Sequence, residues 1–510
     1  MTKSLVLIES AGKIKKLESI LGSGYKVMAS MGHIMDLDRK NMSIDIDNDF
    51  EPKYTILQDA KKGFKTKQQI VNEIKLQAKK HDKIYLATDE DREGEMIAWS
   101  LAHVLNIKKP NRVTFNSITK NEVMNAIKNP RDLDYNMIDA QKTRRILDRL
   151  IGFELSPLIQ SKIGNGASSA GRVQSVVVKI IIDRENEINE FLDKENTGKY
   201  KITSTLSSKD FVTNAVLYSA SNSNTSDVGE LDDEENATDE KIGKYSVIKF
   251  DSKTDTKSVM NNIIPSTIKI CDIVKSERKR EPAAPFITSS LQQDASQKLG
   301  FPVKKTMDSA QRLYESGYIT YMRTDSYNLS KEAMDSTKKF ILANYGKEYS
   351  RSKTFKCKSK NSQEAHEAIR PTDIDAEEIE EDEKIRADDV KLYNLIWRRT
   401  VASQMSPAII NSAQIIIEIS KLKKDGYYFV TKQEEIKFDG FLKVYNMSDD
   451  DSATINIPKI GTTLTLDILN GEHEFGRPKE RYNEASLVRK LENLGIGRPS
   501  TYATNIETIQ

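Results

Sequence analysis

Residues 83–99 read "KIYLATDEDREGEMIAW", an apolar run that turns acidic and then becomes periodic. Ile84, Leu86 and Ala87 make a short buried strand, so Asp89 falls at or just past its carboxyl end. Gly94 opens "GEMIAWSLAHVL", in which Met96, Ile97, Leu101, Val104 and Leu105 recur at helical spacing. Asp89, Asp91 and Glu93 therefore sit in a strand-to-helix turn, the usual ligand crevice of an open α/β sheet. One or two acids there would complement the helix dipole. Three so close repel one another unless a cation or a basic side chain compensates, and hard carboxylate oxygens suit Mg²⁺.

The same alternation extends on both sides. "SLVLIES", a helix from about Lys13 to Leu21, "YKVMAS", a helical stretch around Phe64 to Lys80 and "KIYLATD" predict an α/β domain with a parallel sheet over residues 1–140. From Tyr135 to Asp193 the pattern is helical, broken by the Gly- and Ser-rich turn "GNGASSAG". Residues 141–198 with 476–510 are expected to form a helical domain. β-branched alternation dominates from Lys199 to about Lys275 and from Ala408 to Leu469, which predicts a β-rich domain over 199–280 with 406–475. Between them, "EPAAPFITSSLQQDASQKLG" breaks the chain with two prolines before a helix and opens an insert, 281–405. The tract from Ser219 to Asp239 is expected to be a disordered loop.

A chain of 510 residues is too long for one ordinary core. No run approaches the ~18 apolar residues of a membrane span, and "MTKSLVLIESAGKIKK" reads as a strand and a basic turn rather than a cleavable signal. An intracellular protein is expected. Cys271 and Cys357 are far apart, which excludes a disulfide framework or a zinc ribbon within this chain. The net charge of +2 conceals acidic tracts at 226–240 and 375–389 and basic clusters in "GKIKK", "QKTRRILDR", "KSERKRE" and "GRPKERY". Such clusters are either solvated faces or DNA contacts.

In "TMDSAQRLYESGYITYMRTDS" (306–326), Met307, Ala310 and Leu313 make a helical stripe and Gly317 is placed as its left-handed terminator. A strand is expected from Tyr318, with Ile319, Tyr321 and Arg323 on one face and Tyr321 about 7 Å from Arg323. These are either a strand tyrosine with a solvated neighbour or a nucleophile beside a phosphate-binding fork.

The segments "LVLIESAGK", "TDEDREGEMIAW", "SAGRVQS", "YITYMRTDS", "EAHEAIRPT" and "GIGRPSTYA" together resemble the motifs of type IA DNA topoisomerases, and the first two resemble that family's Toprim domain. "YMRTDS" and "EAHEAIRPT" look more like bacterial topoisomerase I than topoisomerase III, whose motif commonly has Pro where Met322 stands. The resemblance covers essentially the whole chain. It implies an α/β Toprim domain in an α+β multidomain toroid, with helical domains around a central hole and a β-rich hinge.

It also implies ATP-independent chemistry. Tyr321 would attack a phosphodiester of single-stranded or negatively supercoiled DNA, forming a 5′-phosphotyrosine and releasing a 3′-hydroxyl that later attacks back. A tyrosine hydroxyl ordinarily has a pKa near ~10, so cationic help is expected from Arg323, which would also hold the phosphate. Lys13 would stabilise transition-state charge. Glu9 would protonate the leaving oxygen, its pKa raised by crowding against Asp89 and Asp91. Mg²⁺ would be held by Asp89, Asp91 and Glu93 with Glu9 sharing the site. His33 and His366 match positions near the DNA, and His366 is expected among the catalytic residues. DNA contacts are expected from Arg144, Arg145 and Arg149 on one helix, from Ser169, Ala170, Gly171, Arg172, Val173 and Gln174 in the small-residue turn, and from Arg323, Arg498 and Thr501. "SAGKIK" lacks the glycine spacing and the Ser or Thr of a P-loop.

The expected protein is a monomer in the cytoplasm, on a bacterial nucleoid or in a large DNA virus. Family members continue beyond "TYATNIETIQ" and often carry zinc ribbons, so a truncated chain with weakened processive relaxation is expected. Rival readings are a topoisomerase III-like decatenase, a Toprim nuclease or primase, and a single-strand-binding protein without chemistry.

Overall fold

The computed structural model describes residues 4–58, 65–163, 169–194, 198–220, 241–242, 244–355, 366–445 and 457–510. The acidic tract 226–240, most of the loop expected from Ser219 to Asp239, Cys357 and the first two residues of "EAHEAIRPT" lie outside the described residues. The chain divides into two compact units, one of Met1–Asp183, Ala283–Gln404 and Arg481–Gln510, the other of Arg184–Pro282 and Met405–Glu480.

The first unit begins with a four-stranded sheet in the order Tyr25–Ala29, Ser4–Ile8, Lys83–Leu86, Asn111–Arg112, parallel at every pairing. Every residue of Ser4–Ile8 is buried. This is why "SLVLI" is continuously apolar rather than alternating, since helices cover both faces of a parallel strand. Leu5, Leu7 and Leu86 pack with Val71, Ile74, Met96, Ile97 and Leu101 into one core. Helix α1 spans Ile14–Leu21 after a 3₁₀ turn at Ala11–Lys13. Helix α2 spans Lys67–Ala78, opened by a Thr66/Gln69 capping box. Helix α3, Arg92–Leu105, starts where Asp91 accepts the Gly94 amide and stops at Asn106 in the left-handed region. Helices α4 (Lys120–Lys128), α5 (Tyr135–Ile163) and α6 (Gln174–Leu192) follow.

Further along the same unit, the Val303–Glu315 helix ends before Gly317 at φ +82°, as the glycine's freedom from a Cβ allows. The strand expected from Tyr318 does not form. Ile319 makes one isolated bridge to Pro371, Thr320 donates to Arg370 at 2.9 Å, and the Tyr321 amide donates instead to Asn116 at 2.8 Å. The amides thus go to different partners, so no continuous ladder exists. Ile319, Thr320, Tyr321 and Met322 are all buried.

In the second unit both β-rich stretches enter one nine-stranded sheet. Its backbone is the antiparallel pair Ile268–Arg280 and Ala408–Ile419, and Ile202, Leu206, Leu217, Ile415, Ile417 and Phe429 form its core. No helix among the described residues is long and apolar enough to cross a membrane.

Candidate active site

The site collects at the carboxyl ends of the two central parallel strands. Ser4–Ile8 runs into Glu9 and then into the 3₁₀ turn that presents Lys13. Lys83–Leu86 runs into Thr88, Asp89 and Asp91. The turn between strand and α3 is very tight: a Cβ on Gly94 would lie 2.1 Å from the Asp89 carbonyl oxygen, so only glycine fits. Thr88 Oγ1 donates to the Gly94 carbonyl at 2.6 Å and the Gly94 amide donates to Asp91 Oδ1 at 2.8 Å.

Beneath the turn lies a buried arginine that the sequence reading did not single out. Arg112, with no exposed surface, donates to the carbonyls of Thr88 and Val113 at 2.7 Å, of Asp89 at 2.7 Å and of Leu86 at 3.2 Å. Its Nε donates to Glu95 Oε2 at 2.9 Å. Glu95 also takes Arg131 and the Asp134 amide. Arg131, Arg112 and that amide outweigh the cost of burying the carboxylate and hold its pKa below the ordinary range. The only local signal was an arginine inside the otherwise apolar "RVTF".

Tyr321 reaches the acidic turn from the insert. Its hydroxyl donates to Asp91 Oδ2 at 2.6 Å, and its ring meets that of Tyr314 edge-on at 5.2 Å. Arg323 Nη1 stands 3.4 Å from the same Asp91 oxygen. Burial, then the Asp91 and Asp89 charges, raise the tyrosine's pKa well above its ordinary value against the opposing pull of Arg323. The cationic help expected for Tyr321 is therefore outweighed here. Burial pushes Asp91 upward, but Arg323, the Tyr321 hydroxyl and the Gly94 amide together bring it below the ordinary value.

Lys13 is buried, ion-paired with Asp89, and its ammonium lies 4.7 Å from the Tyr314 ring centre. Glu9 is raised to about 7, first by burial and then by Asp89 and Asp91, with Lys13 and Arg323 opposing. Desolvation thus exceeds the crowding that the sequence suggested.

Three of the four carboxylates expected to hold Mg²⁺ are engaged by side chains of the protein. Asp89 is taken by Lys13, Asp91 by Tyr321 and Arg323, and Glu93 accepts from Gln141 at 2.9 Å and pairs with His33 Nε2 at 2.9 Å. Among the described residues no three His, Cys, Asp or Glu side chains are grouped to bind a metal ion. The donor chemistry suits Mg²⁺; this arrangement of it does not. The His33 pKa is raised because its bond to Glu93 and the surrounding carboxylates outweigh burial.

Asp91, Arg92, Glu93, Arg144, Arg323 and Arg498 line one cleft. Arg144 also stands 3.7 Å from Asp148, and the other arginines of α5 are bound more closely within the protein. Arg145 grips Asp36 through two bonds of 2.8 and 2.7 Å. Arg149 is buried and donates to the carbonyls of Asp38, Asn41 and Leu37. Arg172 pairs with Asp148 at 3.1 Å. In the turn before it, the Ala170 amide donates to Ser156 Oγ at 3.0 Å, the Gly171 amide to Ser175 Oγ at 3.3 Å and Gln174 Nε2 to the Ser169 carbonyl at 2.9 Å, while Val173 packs on the core of Val177 and Leu487. Thr501 Oγ1 accepts the Arg498 amide at 2.8 Å. His366 is buried and its Nδ1 has no hydrogen-bond partner among the described residues.

Residues 4–118 match the Toprim domain family and residues 132–510 match the DNA topoisomerase family. The chain is 46% identical to "DNA topoisomerase 1 type prokaryotic" of Acanthamoeba polyphaga mimivirus over 99% of its own length and 58% of that relative. It is 42% identical to DNA topoisomerase 1 of Campylobacter jejuni, over 100% of this chain and 69% of the relative. The full-length topoisomerase I structure from Thermotoga maritima superposes with a TM-score of 0.79 at 34% identity, covering 99% of this chain and 78% of that one. Toprim is a magnesium-binding fold. With its acidic turn in a Toprim domain and Tyr321 delivered from the region that matches the second family, this chain belongs to the DNA topoisomerases, among relatives of the prokaryotic type 1 class.

Proposed function

We propose that this chain breaks and rejoins one strand of single-stranded or negatively supercoiled DNA through Tyr321, without ATP, and thereby relaxes supercoils. The observation that carries the reading is the Tyr321 hydroxyl held 2.6 Å from Asp91, the same carboxylate that pairs with Arg323, at the strand ends that carry Lys13 and Glu9.

In the closed arrangement the hydroxyl keeps its proton, because burial and two carboxylates oppose the phenolate. Asp91 Oδ2 is the base in reach of that proton. As Tyr321 Oη bonds to phosphorus, the P–O3′ bond breaks and the 3′ oxygen takes a proton from Glu9, whose raised pKa of about 7 leaves it substantially protonated at neutral pH. Arg323 pairs with the phosphoryl oxygens as their charge grows. Lys13 supports that charge once a phosphate competes for it with Asp89. The reverse path returns the proton to Glu9 and restores the phosphodiester, so the phosphotyrosine stores the energy of the broken bond. Arg144 and Arg498, which line the cleft with Arg323, hold the flanking phosphates. Magnesium enters this reading only through the fold, and none of these steps is routed through it. One copy supplies every residue named, which suits a monomer, and the bacterial and viral relatives suit a place in the cytoplasm or a virion.

The test is incubation with labelled single-stranded oligonucleotide and with supercoiled plasmid, Mg²⁺ and no ATP, beside Tyr321→Phe. A denaturant-resistant adduct in the wild type alone is expected. Cleavage by both proteins, leaving free ends, would point to a Toprim nuclease. Tight binding with no adduct would point to a strand-binding protein.

A further inference from the structure

The nucleophile is held by its main chain as well as by its hydroxyl. Tyr321's amide donates to the Asn116 carbonyl at 2.8 Å, a bond from the topoisomerase region to the end of the Toprim region. The Ile118 carbonyl of the same loop lies 3.1 Å from where a Cβ on Gly317 would stand, so the turn before Tyr321 also rests on this loop. What shapes the loop is Glu122, on the first turn of α4. Its Oε1 accepts the Asn116 amide at 2.7 Å and its Oε2 accepts Ser117 Oγ at 2.6 Å. Ser117 is buried, and its Oγ also lies 3.2 Å from Thr119 Oγ1. Thr119 occupies the N-cap position of α4 without a side-chain cap bond, so Glu122 ties the loop to the helix in its place. A carboxylate near a helix N-terminus is also favoured by the helix dipole.

We propose that Glu122 is a positioning residue for strand cleavage and rejoining: by gripping Asn116 and Ser117 it aims the main-chain carbonyl that docks the nucleophile's own amide. The inference rests on the tyrosine chemistry proposed above. Glu122 touches no reacting atom. Its effect passes through one amide–carbonyl bond, that of Tyr321 to Asn116. Loosening the Asn116 carbonyl leaves the tyrosine in place less often.

The test compares wild type, Glu122→Ala and Glu122→Gln in the full chain. Glutamine keeps the geometry: its carbonyl accepts the Asn116 amide and its amide donates to Ser117 Oγ, whose hydrogen turns to Thr119. The expected result for E122A is cleavage and rejoining of a labelled oligonucleotide each slowed about fivefold, the effect of weakening one hydrogen bond that positions the tyrosine. Affinity for single-stranded DNA should stay within about twofold of wild type, and E122Q should restore both rates. Hydrogen exchange of the peptide carrying the Tyr321 amide reads the same contact without any chemistry, and should quicken in E122A but not in E122Q. Wild-type rates or unchanged exchange in E122A would overturn the proposal, as would a loss in E122Q equal to that in E122A. Failure of the tyrosine chemistry itself shows separately, as no adduct in the wild type, while exchange still reports whether Glu122 docks Tyr321.

Discussion

Asp91 accepts the Tyr321 hydroxyl at 2.6 Å with one oxygen while its other oxygen accepts the Gly94 amide at 2.8 Å. One carboxylate therefore joins Tyr321 to the start of the helix that follows the acidic turn. An Asp91→Asn substitution keeps the helix cap and an acceptor for the hydroxyl but removes the charge. The Tyr321 pKa should fall from its raised position, since Asp91 follows burial as its largest cause. Difference absorbance titration of D91N against D91N/Y321F, beside wild type against Y321F, measures the shift. An unchanged titration would show that Asp91 does not control the Tyr321 hydroxyl.

Glu9 has its pKa raised from 4.5 to about 7. Between those values the folded chain binds the proton more readily than the unfolded chain, so its contribution to stability is full below pH 4.5 and is lost as pH rises through about 7. In the proposed mechanism the same titration governs leaving-group protonation. Single-turnover cleavage should fall as pH rises past about 7, and in Glu9→Gln this limb should vanish from a slower profile. A limb that persists in E9Q belongs to another group.

Glu95 and Arg112 are both fully buried, and each compensates the other's charge. Glu95→Gln leaves Arg112 buried without its counter-charge, and should destabilise the first unit by about 3–5 kcal/mol, as for other broken buried pairs. Urea denaturation followed by tryptophan fluorescence gives the value. A loss under about 1 kcal/mol would show that the carbonyls around Arg112 suffice to hold it.

Arg144 and Arg149 lie on the same helix and should behave differently. Arg144 lines the cleft, so Arg144→Ala should lower the salt dependence of single-strand binding by about 0.7 in log–log slope, one phosphate's worth. Arg149 is spent on three carbonyls, so Arg149→Ala should lower the melting temperature with little change in that slope. Equal slopes in both variants would place the two arginines in one role.

The strands and helices of the Toprim region could be read from local order, because "SLVLI", "KIYL" and "GEMIAW" carry their periods among neighbouring residues. The acidic turn was legible too, since Gly94 and the acids stand within a few positions of it. What neighbouring residues could not specify was how each polar group would be spent. Tyr321 and Arg323 were expected on a strand, but the Tyr321 amide goes to Asn116, more than two hundred positions earlier, and the strand does not form. Arg145 and Arg149 read as phosphate ligands by helical spacing, yet carbonyls of Leu37, Asp38 and Asn41 and the carboxylate of Asp36 claim them. The acids that suggested a metal site are divided among Lys13, Tyr321, Arg323, His33 and Gln141. Periodicity reports which side of an element is apolar. The partner that satisfies a buried charge or amide is settled only when distant segments pack, because an unpaired polar group in the interior costs more than a local preference can supply.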